Sequence, residues 1–323
     1  MCNLAGYIGE KAAAPILVDM IKRQEGFAGG YYTGIATVYE SRIYYVKVKG
    51  DIKKLLSVTD ALNLPGNAGI IHSRSNGGGG DLFAHPFEGK RGGRVTEVYM
   101  ANGSMGSFAV SDDEYNDIIK SLLKEGYTFT SGEKPHMSDV MCQLIVRNIH
   151  KGLTPDKAIE KAFCTMPNEI AGLMLSLEDT ESIFYGRINR PIMISFGSHG
   201  AYISTSALAF PNDRGEVFPL PVNSSGYIKK DSFHTSPFKK PPVTVSEIDG
   251  LFEKGVEILR EELKEGRKNF RQLVKFIKPL FGGNCGQEDL LCYEALRTLC
   301  ESGEIIMEDD KSFKENNNGS YKI

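Results

Sequence analysis

Cys2 is the residue with the most chemistry to offer, because removal of Met1 leaves a thiol and a primary α-amine on one residue. An unperturbed α-amine titrates at about 7.7–8.0, so near neutrality part of it is neutral and can take the thiol proton, directly or through water. A cysteine so placed needs no separate histidine base. Three further segments carry groups of interest. Arg74 ends the run Ile70-Ile71-His72-Ser73 and precedes Gly77-Gly78-Gly79-Gly80, a stretch that bends at little steric cost. Asn102-Gly103 follows Val98-Tyr99-Met100-Ala101. A side-chain amide beside a backbone N–H can hold the negative oxygen formed when an amide carbonyl is attacked, each donor contributing about 3–4 kcal/mol. Ser138-Asp139 opens an apolar-periodic stretch. Each also has a plain structural reading: a small buried residue at the start of a strand, a solvated arginine, a turn dipeptide and a helix cap. His72 and His85 are read as structural.

The elements that must position these groups are short and mixed. Strand-like runs cover Leu4–Ile8, Gly34–Tyr39, Ile43–Lys49, Ala68–Ile71 and Glu97–Ala101, while Asp112–Glu125, Ser138–His150 and Pro155–Phe163 carry helical periodicity. Ile170–Leu177, Ser182–Gly186, Ile192–Phe196 and Ala201–Ser204 follow closely enough to read as a meander in one antiparallel sheet. The proline-rich stretch at 236–245 reads as a linker between a domain over 1–235 and a helical one over 246–323. In the latter, Ser246 opens a helix with Ile248, Leu251, Phe252, Val256 and Leu259 at helical spacing, helices near 269–280 and 287–301 follow, and Gly303–Glu308 reads as a short strand before a fraying end. Three helices and a wing resemble a winged helix. Residues 245–323 hold 16 acidic and 12 basic side chains, so dimerisation or partner docking is the expected role and nucleic acid is not an expected partner.

The opening Met1-Cys2-Asn3-Leu4-Ala5-Gly6-Tyr7-Ile8-Gly9 resembles the start of the class II, N-terminal-nucleophile (Ntn) glutamine amidotransferases, in particular the glutaminase domain of glucosamine phosphate synthases. The resemblance continues in order through Ile70–Arg74 with Ala84-His85-Pro86-Phe87, Val98–Gly103, Ser138-Asp139 and the strands between Glu169 and Leu208. It implies an α+β fold, the four-layer αββα Ntn-hydrolase sandwich, here with a small C-terminal helical domain. It also implies hydrolysis of the glutamine side-chain amide to glutamate and ammonia through a thioester on Cys2. Asn102 and Gly103 would form the oxyanion hole. Arg74 would grip the substrate α-carboxylate, Asp139 would bind its α-amino group, and Asn76 joins them as a binding candidate in the loop after Arg74. Two segments depart from the family. Ala28-Gly29-Gly30-Tyr31 stands where it has arginine-glycine-tyrosine, and Ser75-Asn76-Gly77-Gly78 stands where it has tryptophan, alanine, threonine and histidine.

Hydrophobic residues at 41%, charged residues at 24% and a net charge of −3 exclude a disordered chain and a globally basic nucleic-acid binder. The first residues lack a basic segment before an apolar one, and the six cysteines form no CxxC pair, so a cytoplasmic protein without metal or cofactor is expected. No GxxxxGK[ST] phosphate loop is present and no acceptor site is visible. The expected partners are therefore glutamine, a separate ammonia-accepting synthase subunit and further copies of the chain, with no membrane. A catalytically weak glutamine-binding or regulatory module, including a metabolite-sensing DNA-binding protein, is the alternative.

Overall fold

The structure is a computed structural model, described here for residues 2–25, 29–106, 109–244, 250–281, 287–308 and 320–322. The chain begins β1 (Asn3–Gly9), α1 (Ala13–Gln24), β2 (Tyr32–Tyr39), β3 (Arg42–Lys49), α2 (Ile52–Val58), β4 (Ala68–Arg74), β5 (Phe87–Arg91) and β6 (Arg94–Ser104). Three helices follow, α3 (Asp112–Lys124), α4 (Met137–His150) and α5 (Pro155–Thr165), then β7 (Glu169–Ser176), β8 (Asp179–Arg187), β9 (Met193–Gly197) and β10 (Gly200–Ser204). After them come β11 (Arg214–Pro219), β12 (Ser224–Ile228) and β13 (Phe233–Pro237).

These strands make two antiparallel sheets, one ordered β11-β9-β10-β1-β4-β2-β3 and the other β13-β12-β8-β7-β6-β5. Every residue of β1 is buried, because this central strand is covered on both faces. Alternation sends Ala5 and Tyr7 to the core under α1, with Leu17 and Ile21, and sends Leu4 and Ile8 to the core between the sheets, with Val98, Leu173 and Ile183. The outer face of the second sheet packs Phe87 and Tyr99 against Val140, Leu144, Ile159 and Phe163 of α4 and α5. The layers are therefore helix, sheet, sheet, helix. The β2–β3 hairpin turns at Glu40 and Ser41, both at positive φ (44° and 57°), the two-residue turn whose twist matches the strands.

The meander expected over 170–204 does not lie in one sheet. β7 and β8 belong to the second sheet, β9 and β10 to the first. The crossing occurs at residues 188–192, where Ile188 N donates to Ile170 O and Leu220 N donates to Ile192 O. Period-two patterning specifies which face of a strand is apolar, and both sheets offer an apolar face, so pattern alone does not choose the partner.

The stretch expected as a linker starts inside β13. Phe238 is buried against Phe163, Phe238 N donates to Asn223 O, and Lys239 N donates to Glu160, so this stretch lies packed on the sandwich. Ser246, Ile248 and the rest of the expected helix start lie outside the described residues, as does most of the end expected to fray. From Phe252 the chain forms α6 (Phe252–Lys264), β14 (Lys268–Asn269), α7 (Phe270–Ile277), α8 (Glu288–Glu301), β15 (Ile306–Glu308) and β16 (Ser320–Lys322), with strand order β14-β16-β15. Leu259, Leu263, Leu273, Ile277, Leu291 and Leu296 form its core. Asn269 caps α7 reciprocally with Gln272.

Candidate active site

β1 and β4 pair antiparallel with Asn3 opposite Ser73, a register that brings Cys2 alongside Arg74 at the same sheet end. β6 reaches the spot from the facing sheet. Cys2 N lies 3.2 Å from Asn102 Oδ1 and donates to it; with Met1 removed, this nitrogen is the α-amine. The contact fixes the amide's orientation, since the oxygen is engaged by Cys2 while Nδ2 is buried with no partner among the described residues. A buried donor left unpaired costs about 1–3 kcal/mol, which an oxyanion in the pocket would relieve. His72, fully buried, donates from Nε2 to Ala101 O at 3.0 Å and ties β4 to β6 across the sandwich. A Cβ on Gly103 would stand 2.7 Å from Glu169 O, so close pairing with β7 needs glycine there.

Arg74 is 8% exposed and stacked between rings, its guanidinium carbon 5.0 Å from the Tyr32 centroid and 5.8 Å from that of Phe83. Nη1 donates to Gly78 O at 2.9 Å, and the Tyr32 hydroxyl donates to Gly79 O at 2.8 Å. Gly78 and Gly79 sit at positive φ (73° and 97°), and a Cβ on Gly79 would strike the Phe83 ring at 2.2 Å. The glycine loop after Arg74 is thus folded down on it.

A cavity of about 220 Å³ is lined by Cys2, Arg74, Asn76 and Gly77 together with Asn102, Gly103 and Ser104. Five of the six residues singled out from sequence therefore meet in one pocket. Asp139 does not line it. Its carboxylate is fully buried behind the wall, where Oδ2 accepts from Ser131 N at 2.8 Å, Ser131 Oγ at 2.7 Å and Thr130 Oγ1 at 3.4 Å, and Oδ1 accepts from Gln143 Nε2 at 3.3 Å. Burial nonetheless holds its pKa above the usual carboxylate value. The expectation that Asp139 meets the substrate amine does not fit this placement, because a residue in the first turn of α4 is aimed by the 130–136 loop, whose path periodicity does not reveal.

Among the lining residues that sequence reasoning did not assign to the pocket are His85, His136, Ser138, Arg190 and Arg271. His136 caps α4 by accepting from Ser138 N at Nδ1 (3.1 Å), and burial followed by the Arg74 charge lowers its pKa to about 4. His72 is lowered to about 3, by burial first and then by Arg74, and His85 well below its usual value by burial and neighbouring His72. The imidazoles are neutral at pH 7, so the pocket's positive charge comes from arginines. Arg190 pairs with Glu169 and with Asp289 of α8, and the neighbouring buried Arg187 donates to Gln287 Oε1 at 2.6 Å. Arg271 enters from α7. The one signal for Arg187 and Arg190 was a pair of arginines before Pro191 between apolar strands; Arg271 reads as a solvated helix residue. Two other clefts, of about 430 and 590 Å³, lie away from Cys2 and contain no cysteine. Among the described residues no three His, Cys, Asp or Glu side chains are grouped to hold a metal ion.

No family model matches the chain. Among curated proteins it is 30% identical over 236 residues to a glutamine–fructose-6-phosphate aminotransferase (isomerizing) of Pyrococcus horikoshii, covering 72% of this chain and 37% of the relative. The enzyme of that name from Bartonella henselae is 28% identical over 213 residues, covering 65% of this chain and 32% of the relative. The chain thus spans about a third of the length of these relatives. Among solved structures, a glutamine phosphoribosylpyrophosphate amidotransferase from B. subtilis superposes with a TM-score of 0.63 at 16% identity, over 81% of this chain and 58% of that one, which establishes likeness of fold.

Proposed function

This chain carries a class II glutamine amidotransferase domain of the N-terminal-nucleophile type, and from that premise we propose that it hydrolyses an amino-acid side-chain amide of the glutamine type through a thioester on Cys2. The observation that carries the reading is the Cys2 nitrogen donating to Asn102 Oδ1 while Asn102 Nδ2 stays unpaired beside it, with Arg74 in the same pocket.

The α-amine takes the Cys2 thiol proton, and Sγ attacks the amide carbon. The carbonyl oxygen becomes an oxyanion held by Asn102 Nδ2 and the Gly103 N–H. The proton on the α-amine passes to the amide nitrogen, the C–N bond breaks and ammonia departs, leaving a thioester. Water then attacks, the α-amine takes its proton, and collapse releases the carboxylate and restores the thiol. Arg74, oriented by Tyr32 and Phe83, grips the substrate carboxylate through parallel hydrogen bonds. Asn76, exposed on the loop, closes one side. Asp139 acts indirectly, holding Ser131 and with it the approach to α4.

The nitrogen goes to an acceptor bound by a separate synthase subunit, and the chain works as a homo-oligomer in a reducing, cytoplasmic setting. The absence of disulfides among the five described cysteines is compatible with that setting. No described helix is long and apolar enough to cross a membrane. The arrangement of α6–α8 with β14–β16 supports a winged-helix reading of the C-terminal unit. Its α8 meets Arg187 and Arg190 at its first turn, which disfavours insertion of that helix into a DNA groove.

Intact mass and ammonia release test the proposal together. The expected outcome is a chain lacking Met1 whose amide hydrolysis disappears in Cys2→Ala. A retained Met1, or equal ammonia release by Cys2→Ala, would sink it.

A further inference from the structure

Resting on the amidohydrolase reading above, we propose that the preferred substrate is a glutamine whose α-nitrogen is acylated, such as an N-acyl-glutamine or the C-terminal glutamine of a peptide, rather than the free zwitterion.

Three arginines line the Cys2 pocket, Arg74, Arg190 and Arg271, and no Asp or Glu does so among the described residues. The carboxylates nearest the wall are already engaged. Asp139 is saturated by Ser131, Thr130 and Gln143, while Glu169 and Asp289 both hold Arg190. With the carboxylate of free glutamine on Arg74, its ammonium stands two bonds away from that carboxylate carbon and so beside the same guanidinium. There, among the described residues, it meets only neutral side-chain acceptors, the Ser138 hydroxyl, the Asn76 amide and the imidazoles of His85 and His136. Acylation removes the charge and leaves one N–H donor, which neutral acceptors satisfy. His85 is built for that role: it lines the pocket, is 1% exposed, and has both ring nitrogens without a partner among the described residues. Its imidazole is held between His72, with centroids 4.0 Å apart, and Phe87 at 4.7 Å, so it has little freedom to turn away.

The test compares kcat/KM for ammonia release from glutamine, N-acetylglutamine and glutaramate, which lacks the amine, using protein shown to lack Met1. N-acetylglutamine is expected to exceed glutamine by roughly tenfold or more, with glutaramate between them. Asn76→Asp, in an exposed loop that tolerates the change, places a carboxylate on the wall and shifts the ratio back toward glutamine by roughly tenfold. Equal or better turnover of glutamine by the unaltered protein overturns the specificity and leaves the amidohydrolase reading standing. If none of the three amides is hydrolysed, the amidohydrolase reading falls, and calorimetric titration of Cys2→Ala decides the specificity by itself. Tighter binding of N-acetylglutamine supports it, and glutamine binding as tightly or more tightly overturns it.

Discussion

The two walls of the Cys2 pocket are built by different physics. One wall comes from strands: Cys2 and Arg74 at the ends of β1 and β4, and Asn102 and Gly103 on β6, held by ladder hydrogen bonds and by the His72–Ala101 contact between sheets. The other comes from the 188–192 crossing and the C-terminal helices, where Arg190 is located by its pairs with Glu169 and Asp289. Ladders fix backbone atoms to fractions of an ångström and respond little to salt, whereas ion pairs place side chains and depend on both partners staying charged. The atoms that would break the amide sit on the first wall, together with Arg74, and the second adds Arg190 and Arg271 to the pocket where the substrate would lie.

Removing a group from the strand wall should have the largest effect. Asn102→Ala is expected to lower kcat by about 10²–10³-fold with little change in KM, because the donor acts on charge present only in the transition state; steady-state ammonia release measures it. A rise in KM with kcat unchanged would mean that Asn102 binds ground state and transition state alike.

The second wall breaks through Asp289. Its replacement by alanine leaves Arg190 with Glu169 alone and should cost on the order of 3 kcal/mol, read as a lower urea midpoint and faster proteolysis beyond residue 250. Loss of stability with no change in proteolysis of the C-terminal helices would show that α8 is held by its apolar contacts instead.

The contact joining β4 to β6 titrates. His72 has a folded pKa of about 3 against an unfolded value near 6.5, so below pH 6.5 the unfolded chain binds a proton that the native chain refuses. Stability from this group is present above pH 6.5 and is lost as pH falls toward 3, amounting to about 2–3 kcal/mol between pH 7 and 4.5. His72→Gln should flatten the urea midpoint against pH over that range, and an unchanged slope would place the titration elsewhere. The smallest effect belongs to the exposed Arg260–Glu304 pair within the C-terminal unit, where Arg260→Ala should leave the unfolding midpoint unchanged.

Much of this was legible along the chain. Cys2 announces itself by position, since only the first residue of a processed chain owns an α-amine. The runs around Arg74 and Asn102 read as strands because each is a short continuous apolar run bounded by turn signals, and the structure extends them as β4 and β6. The resemblance implied that Asp139 meets the substrate amine, but a Ser-Asp pair at a helix start says nothing about where the carboxylate turns; Ser131, eight residues earlier, decides that. Arg190 left only the faint signal of two arginines before Pro191, and Arg271 left none, because it lies in a segment whose local pattern is ordinary.

What the sequence determined by itself is therefore the kind of nucleophile, the faces of its strands and helices, and the turns between them, all of which depend on neighbours a few residues apart. Only the tertiary structure decided that β8 and β9 part into different sheets, that the Asp139 carboxylate is buried against Ser131 and Gln143, and that helices beyond residue 250 help wall the pocket. Those outcomes rest on contacts such as Cys2 with Asn102 and Arg187 with Gln287, each spanning 100 residues. Local periodicity carries no information at that range, because any apolar face can pair with any other until the whole chain has packed.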